Sequence, residues 1–279
     1  MKFLFWNINS KPIFKEIAEI AFIENIDVIL IAEFPEPKED MSNQLLEKLN
    51  FKENYYISVD KIYDVKINIF CKQCYSDSII HKGNIARGAV IYIKIPSYEP
   101  ILLMAFHIQS KVNWDDNDQF AHSCEIKDKI TEWEERLNCS HTILCGDFNM
   151  NPFDKGVVSH TGINAVMERE IAMKGCRTIE KKPYRYFYNP MWGFLGDLGK
   201  GKVSGTMRYN SSIPTSYHWL LFDQVFLRPE LIDIFDDQEL DIITQIGETN
   251  LLTPQKKIST KYSDHLPIKF KLKIEAYEK

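Results

Sequence analysis

Asn7, Glu33, His107, Asp147, Asn149, Asp223, Asp264 and His265 are scattered over almost all of a 279-residue sequence, yet each stands where an apolar run stops, is interrupted or begins. Carboxylates and amides are hard oxygen donors suited to Mg²⁺, or Mn²⁺ in its place, cations that keep several waters and bind through one or two acids plus substrate phosphate. The two imidazoles can exchange a proton near neutral pH. A zinc enzyme would more often place several histidines at short spacing, as in H-E-x-x-H, and that pattern is absent. Also absent are the G-x-x-x-x-G-K-[ST] phosphate loop and the G-x-S-x-G nucleophile elbow. Metal-assisted hydrolysis is the chemistry that remains.

The elements that must position these groups are legible as short apolar runs with polar ends. Thr142-Ile143-Leu144-Cys145-Gly146-Asp147-Phe148-Asn149 reads as a buried strand closed by a tight turn, with Asn151-Pro152 following. Asp147 supplies a proton-accepting charge, and Asn149, on the same face of an extended segment, a neutral amide. Taken alone this could be an ordinary Asp/Asn turn; its recurrence at other strand ends points to chemistry. A first strand over residues 2–8 leads into Asn7 and Asn9, and a second over 28–32 ends at Glu33, ahead of Phe34-Pro35-Glu36-Pro37. A third, over 101–106, ends at His107.

Between them, Pro12 opens a helical pattern with Ile13, Ile17, Ile20 and Ala21 on one face, and residues 41–50 read as a short helix. Residues 55–59, 65–71 and 86–95 are β-rich. The clearest helix spans 118–137, with Phe120, Ile126, Ile130, Trp133 and Leu137 near helical spacing; Glu125, Lys127, Asp128, Lys129, Glu132, Glu134 and Glu135 read as its solvated face. Residues 175–215 are irregular, rich in glycine and proline (Pro214 near the end), with Tyr184, Tyr186, Tyr188, Trp192 and Tyr209 either stacking on substrate rings or packing the segment down. Residues 219–227 read as one strand in which Asp223 needs a partner, since a buried charge is costly without one. Tyr262-Ser263-Asp264-His265-Leu266-Pro267-Ile268 is a loop-to-strand junction, followed by a last strand through Leu272 and Ile274. With no internal repeat and no composition break, residues 1–279 are expected to form a single domain.

Composition sets the class. Hydrophobic residues at 44% and aromatics at 13% support a packed core, while 26% charged residues are ordinary for a soluble protein. No run approaches the ~20 apolar residues of a membrane helix. The N-terminal residues turn polar too soon for a signal peptide, so a cytoplasmic protein without a membrane partner is expected. Cys71 and Cys74 form a lone C-x-x-C, with His81 seven residues on; without a second pair, idle thiols are the simpler reading. Without a secretory signal, the sequons Asn138-Cys139-Ser140 and Asn210-Ser211-Ser212 carry no weight. A net charge of −5 argues against a broad DNA-coating surface, but not against a phosphate substrate whose charge is met by bound cations.

The series Trp6-Asn7-Ile8-Asn9, Ala32-Glu33, His107, Gly146-Asp147-Phe148-Asn149, Phe222-Asp223-Gln224-Val225 and Ser263-Asp264-His265-Leu266-Pro267-Ile268 resembles the endonuclease/exonuclease/phosphatase superfamily, in order and approximate spacing along essentially the whole chain. The resemblance implies an α+β fold, a four-layer α/β/β/α sandwich of two mainly antiparallel sheets packed face to face with helices outside. It implies that Glu33 binds the cation with Asn7 and Asp264, and that His265, held by Asp223, orients or deprotonates water. Asp147 and Asn149 would position the nucleophile or phosphate, or carry a second metal; His107 would contact a phosphate oxygen or act as the acid near the leaving group.

His107 makes the site resemble deoxyribonuclease I and the sphingomyelinases more than abasic-site endonucleases, and Arg87 falls where deoxyribonuclease-like members bind phosphate. Asn9 departs from relatives that carry an acid there, and the phosphate-contacting tyrosine of many family nucleases has three candidates, Tyr55, Tyr56 and Tyr63. The implied reaction is metal-dependent phosphodiester hydrolysis by in-line attack of water, on DNA or RNA, with a small-molecule or lipid phosphate such as an inositol phosphate as the alternative substrate.

Overall fold

The computed structural model describes residues 1–51, 55–59, 66–112, 114–209 and 216–274; Tyr63, Pro214 and the sequon at 210–212 lie outside them. Two large sheets dominate. The first, of six strands, runs in the order Asp241–Ile242, Ile268–Lys271, Lys2–Asn7, Val28–Ala32, Ile67–Lys72, Tyr56–Ser58. The second, of seven, runs Ile79–Ile85, Gly88–Ile93, Ile101–His107, Thr142–Asp147, Asp223–Leu227, Phe187–Tyr188, Ala165–Val166. Most neighbours are antiparallel. The central pairs, Lys2–Asn7 with Val28–Ala32 and Ile101–His107 with Thr142–Asp147, are parallel.

Side-chain alternation makes the layers. From Ile101–His107, Leu103 and Ala105 join Ile143, Cys145, Val225 and the first sheet's Phe5 and Leu30 in a core between the sheets. Leu102, Met104 and Phe106 point the other way, with Leu144 and Phe226, onto Ile126 and Ile130 of the helix Asp116–Leu137. The helices Phe14–Ile23 and Lys38–Asn50 add Ile17, Ile20, Leu45 and Leu49 to the core of the first sheet. Strands buried on both faces read as unbroken apolar runs, which is why the central ones were visible in the sequence. The result is the α/β/β/α sandwich that the motif series implied.

Several elements differ from expectation. The long helix starts two residues early, at Asp116, because the Asp115 carboxylate accepts hydrogen bonds from the backbone N–H groups of Asn117 and Asp118 while Asp118 caps the Asp115 N–H. Its polar side is not all solvated: Glu134 is buried, taking the Arg228 guanidinium through both oxygens at 2.8 and 3.0 Å. The expected strand 219–227 is two, Trp219–Leu220 and Asp223–Leu227, in different sheets. The irregular 175–215 stretch contains a hairpin, Cys176–Ile179 with Lys182–Arg185, and gives Phe187–Tyr188 to the large sheet.

Candidate active site

The parallel and antiparallel registers bring the polar strand ends together. His107 pairs with Asp147 across one strand boundary and Asp147 with Asp223 across the next, so three of the predicted site residues stand abreast at one end of the seven-stranded sheet. Gly146 permits the close packing there: a Cβ on it would lie 2.1 Å from the Phe106 carbonyl oxygen, at a φ of +150°. On the facing sheet Asn7 pairs with Ala32, and Glu33 turns out of the next position at φ +50°, a left-handed conformation that bulky residues adopt only under constraint. The constraint is visible, since the Glu33 carbonyl accepts the Ser10 N–H at 2.9 Å.

Asn7 joins the two sheets. Its Nδ2 donates to Glu33 Oε1 and to Asp147 Oδ2, each at 3.1 Å. His107 Nε2 lies 3.3 Å from Glu33 Oε1 and 3.9 Å from Asp147 Oδ2. Burial depresses the His107 pKa, outweighing the pull of Asp147 and Glu33. Arg87, half-buried on the turn before Gly88–Ile93, donates from Nε to the His107 carbonyl at 3.0 Å.

His265 sits opposite. Its Nδ1 meets Asp223 Oδ2 at 2.8 Å, and its Nε2 faces Asp147 Oδ2 at 3.9 Å. Burial would push the imidazole down, but Asp223 and Asp147 overcome it and raise the pKa to about 10. Burial likewise raises the Asp147 carboxyl, helped by Asp223 and opposed by both histidines. The second oxygen of Asp223, Oδ1, has no hydrogen-bond partner among the described residues. Asp264 adds its charge beside His265 and meets Ser263 Oγ at 3.4 Å.

Each predicted site residue is drawn to this end of the sandwich, with two corrections. Asn149 is not on the same extended face as Asp147: the chain turns at φ +49°, the Asn149 N–H donates to Asp147 Oδ1 at 2.9 Å, and its amide donates to the Ile108 carbonyl at 2.9 Å. Asn149 thus holds the turn that fixes Asp147. Tyr55 and Tyr56 are not site residues. Tyr56 pairs with Lys72 while Ala32 pairs with Ile67, which puts both tyrosines at the far end of the first sheet, with the Tyr56 hydroxyl bonded to the Ile26 carbonyl.

Supporting residues went unnoticed in the sequence. Trp6 Nε1 donates to the His265 carbonyl at 2.9 Å, Ser263 Oγ donates to the Asn7 carbonyl at 2.7 Å, and Thr206 Oγ1 accepts from the Asp223 N–H at 3.1 Å. Ser263 and Trp6 lay inside recognisable motifs; Thr206, in an irregular stretch, carried no signal.

Two donor sets suit a cation. Glu33, its side chain 35% exposed, opens to solvent beside Asn7 and Asp147. Asp147, Asp223 and His265 also offer ligand atoms within 4.8 Å of one another, but Asp223 Oδ2 and His265 Nδ1 are already bonded. The Glu33 side is the better fit for a hard divalent ion: its ligand atoms are carboxylate oxygens, it opens to solvent, and those oxygens are bonded to the neutral Asn7 amide, whose own oxygen accepts the Asn9 N–H, rather than to an imidazole held by Asp223.

Neither a protein-family model nor a curated protein sequence matches the chain. Solved structures do. An endonuclease/exonuclease/phosphatase family protein from Leptotrichia buccalis aligns with a TM-score of 0.55 at 14% identity, over 98% of this chain and 100% of that one. The endonuclease domain of TRAS1, a telomere-specific non-LTR retrotransposon, aligns at 0.53 and 13% identity, over 98% and 99%. A Bacteroides thetaiotaomicron mannosyl-6-phosphatase aligns at 0.56 and 14% identity, over 98% and 99%. The chain has the endonuclease/exonuclease/phosphatase fold, as the motif series implied.

Proposed function

We propose that this chain is a divalent-metal-dependent phosphodiesterase that cleaves DNA or RNA, with residues 1–279 as one catalytic domain working in the cytoplasm. The observation that carries the reading is the Asp223–His265 pair aimed at Asp147, with Glu33 and Asn7 facing it from the other sheet. Asp223 fixes the ring so that Nε2 of His265 is the atom that faces the attacking water and holds or releases a proton there. Asp147, oriented by the Asn149 N–H and the Asn7 amide, positions the attacking water against that nitrogen. His107, kept neutral by burial, donates to a phosphate or leaving-group oxygen, and Arg87 beside it holds the phosphate. Glu33, Asn7 and Asp264 would hold Mg²⁺ or Mn²⁺, which when bound stabilises charge developing on the phosphate and the leaving oxygen. Free thiols throughout the described residues suit a reducing compartment.

The test is cleavage of supercoiled plasmid, single-stranded DNA and single-stranded RNA in Mg²⁺, Mn²⁺ or EDTA, with His265→Ala alongside. Metal-dependent cutting that drops by ~10²–10⁴ in the variant is expected. Undiminished cutting by His265→Ala would overturn the site assignment. The mannosyl-6-phosphatase likeness gives a second reading, a small phosphoester substrate. Phosphate release from sugar or inositol phosphates, with no cutting of any polymer, would favour it.

A further inference from the structure

One cation and one group of rings beside the site take no part in the reaction above. The hairpin formed by Met207–Arg208 and Trp219–Leu220 hangs directly on the site: the Met207 backbone bridges to His265, and the Thr206 carbonyl accepts the Leu266 N–H at 2.7 Å. Arg208, the next residue, is half-buried, and its Nε has no hydrogen-bond partner among the described residues. No carboxylate pairs with it there; its guanidinium lies over the Trp219 ring, 5.9 Å from the centroid. A planar five-donor fork partly withdrawn from water without an anion is poised for one, and phosphate matches its geometry.

The rings stand on the same side of the fold. Asp147 and Asp223 are register partners, and the pairing continues past them through Phe148 N–H to the Phe222 carbonyl at 2.8 Å and Leu221 N–H to Asn151 Oδ1 at 3.0 Å. Phe153 follows Asp147 by as many residues as Tyr217 precedes Asp223, and the two rings meet at 5.1 Å with a 58° tilt. Trp192 joins Phe153 at 6.3 Å. A ring that only packed a loop onto the body would be covered, whereas Tyr217 is 62% exposed.

We propose that Arg208 and the Phe153–Tyr217 ring pair form a subsite for the nucleotide next to the scissile phosphate. Arg208 takes the neighbouring phosphate, and the rings take its base, which must be unstacked. The inference rests on the phosphodiesterase reading and narrows its substrate to a single-stranded or unpaired stretch of polynucleotide.

The test is fluorescence anisotropy of the whole chain in EDTA, against a short labelled oligothymidylate, an abasic strand with the same phosphates, and a blunt duplex. The unsubstituted protein should prefer oligothymidylate to both others. Tyr217→Ser should weaken oligothymidylate roughly five- to 150-fold, the range of one base–aromatic stack. It should bind the abasic strand as before, and Tyr217→Phe should restore the lost affinity. Arg208→Gln should weaken both single strands and lower the salt dependence by about 0.7 in the log–log slope, one phosphate's share.

Equal binding of oligothymidylate and abasic strand, or variants that bind and cut like the parent, would overturn the subsite while cutting by the parent leaves the phosphodiesterase reading standing. If the parent neither binds nor cuts any polynucleotide, both fall.

Discussion

His265 is an imidazole inserted between two buried carboxylates, and its charge state ties stability to pH. With a pKa raised to about 10 from an ordinary 6.5, its protonated form stabilises the metal-free protein fully below pH 6.5, and that stabilisation is lost as pH climbs toward 10. His107, pushed down by burial, acts with the opposite sign and only below its ordinary 6.5; Asp147, pushed up, loses stability with the same sign as His265, starting as pH rises past its ordinary 3.8. Urea unfolding in EDTA should therefore give a stability that falls between pH 6.5 and about 8.5, before thiols begin to ionise, and His265→Gln should flatten the slope. At this scale the gathering of Asn7, Glu33, His107 and Asp147 was readable because polar residues ended one apolar run after another. The face of Asn149 was misjudged because a tight turn after Gly146 does not say which of its residues takes the left-handed conformation. Tyr55 and Tyr56 were misplaced because strand register decides which end of a sheet a residue occupies, and register is not written in one strand. Arg208 and Thr206 lie in a stretch without a period.

Strands and helices carry two further predictions. Gly146→Ala puts a methyl into the Phe106 carbonyl at an unfavourable φ, so it should cost about 2–5 kcal/mol in a denaturant melt, and whatever folds should lose activity because Asp147 is the next residue. Glu134→Ala strands the Arg228 cation against Phe187, 3.8 Å from the ring centroid, and should cost about 3–5 kcal/mol. Replacing both partners with methionine should recover most of that, as thermal melts of the three variants would show. The helix itself was legible from its 3.6-residue period. The burial of Glu134 was not, because its partner is 94 residues away and arrives on another element.

Across the whole molecule the thiols report how the layers are closed. Cys71, Cys139 and Cys145 are buried, and burial raises each thiol pKa, Cys71 to about 12. Cys74 and Cys176 are exposed, though partial burial and Asp27 raise the Cys74 thiol. Ellman's reagent should titrate Cys176 first and Cys74 more slowly, and reach the three buried thiols only after unfolding. Rapid reaction of Cys145 in native protein would mean that the two sheets part.

The indole of Trp6 hydrogen-bonds the carbonyl of His265 across 259 residues of sequence, and Ser263 reaches the Asn7 carbonyl across 256. On the ribosome the segment that carries His265 is made long after the strand that carries Asn7. Until that segment docks, Asp223 lacks the imidazole it holds at 2.8 Å. A chain truncated before residue 263 should therefore lack any activity that needs the Asp223–His265 pair, however well its strands pair.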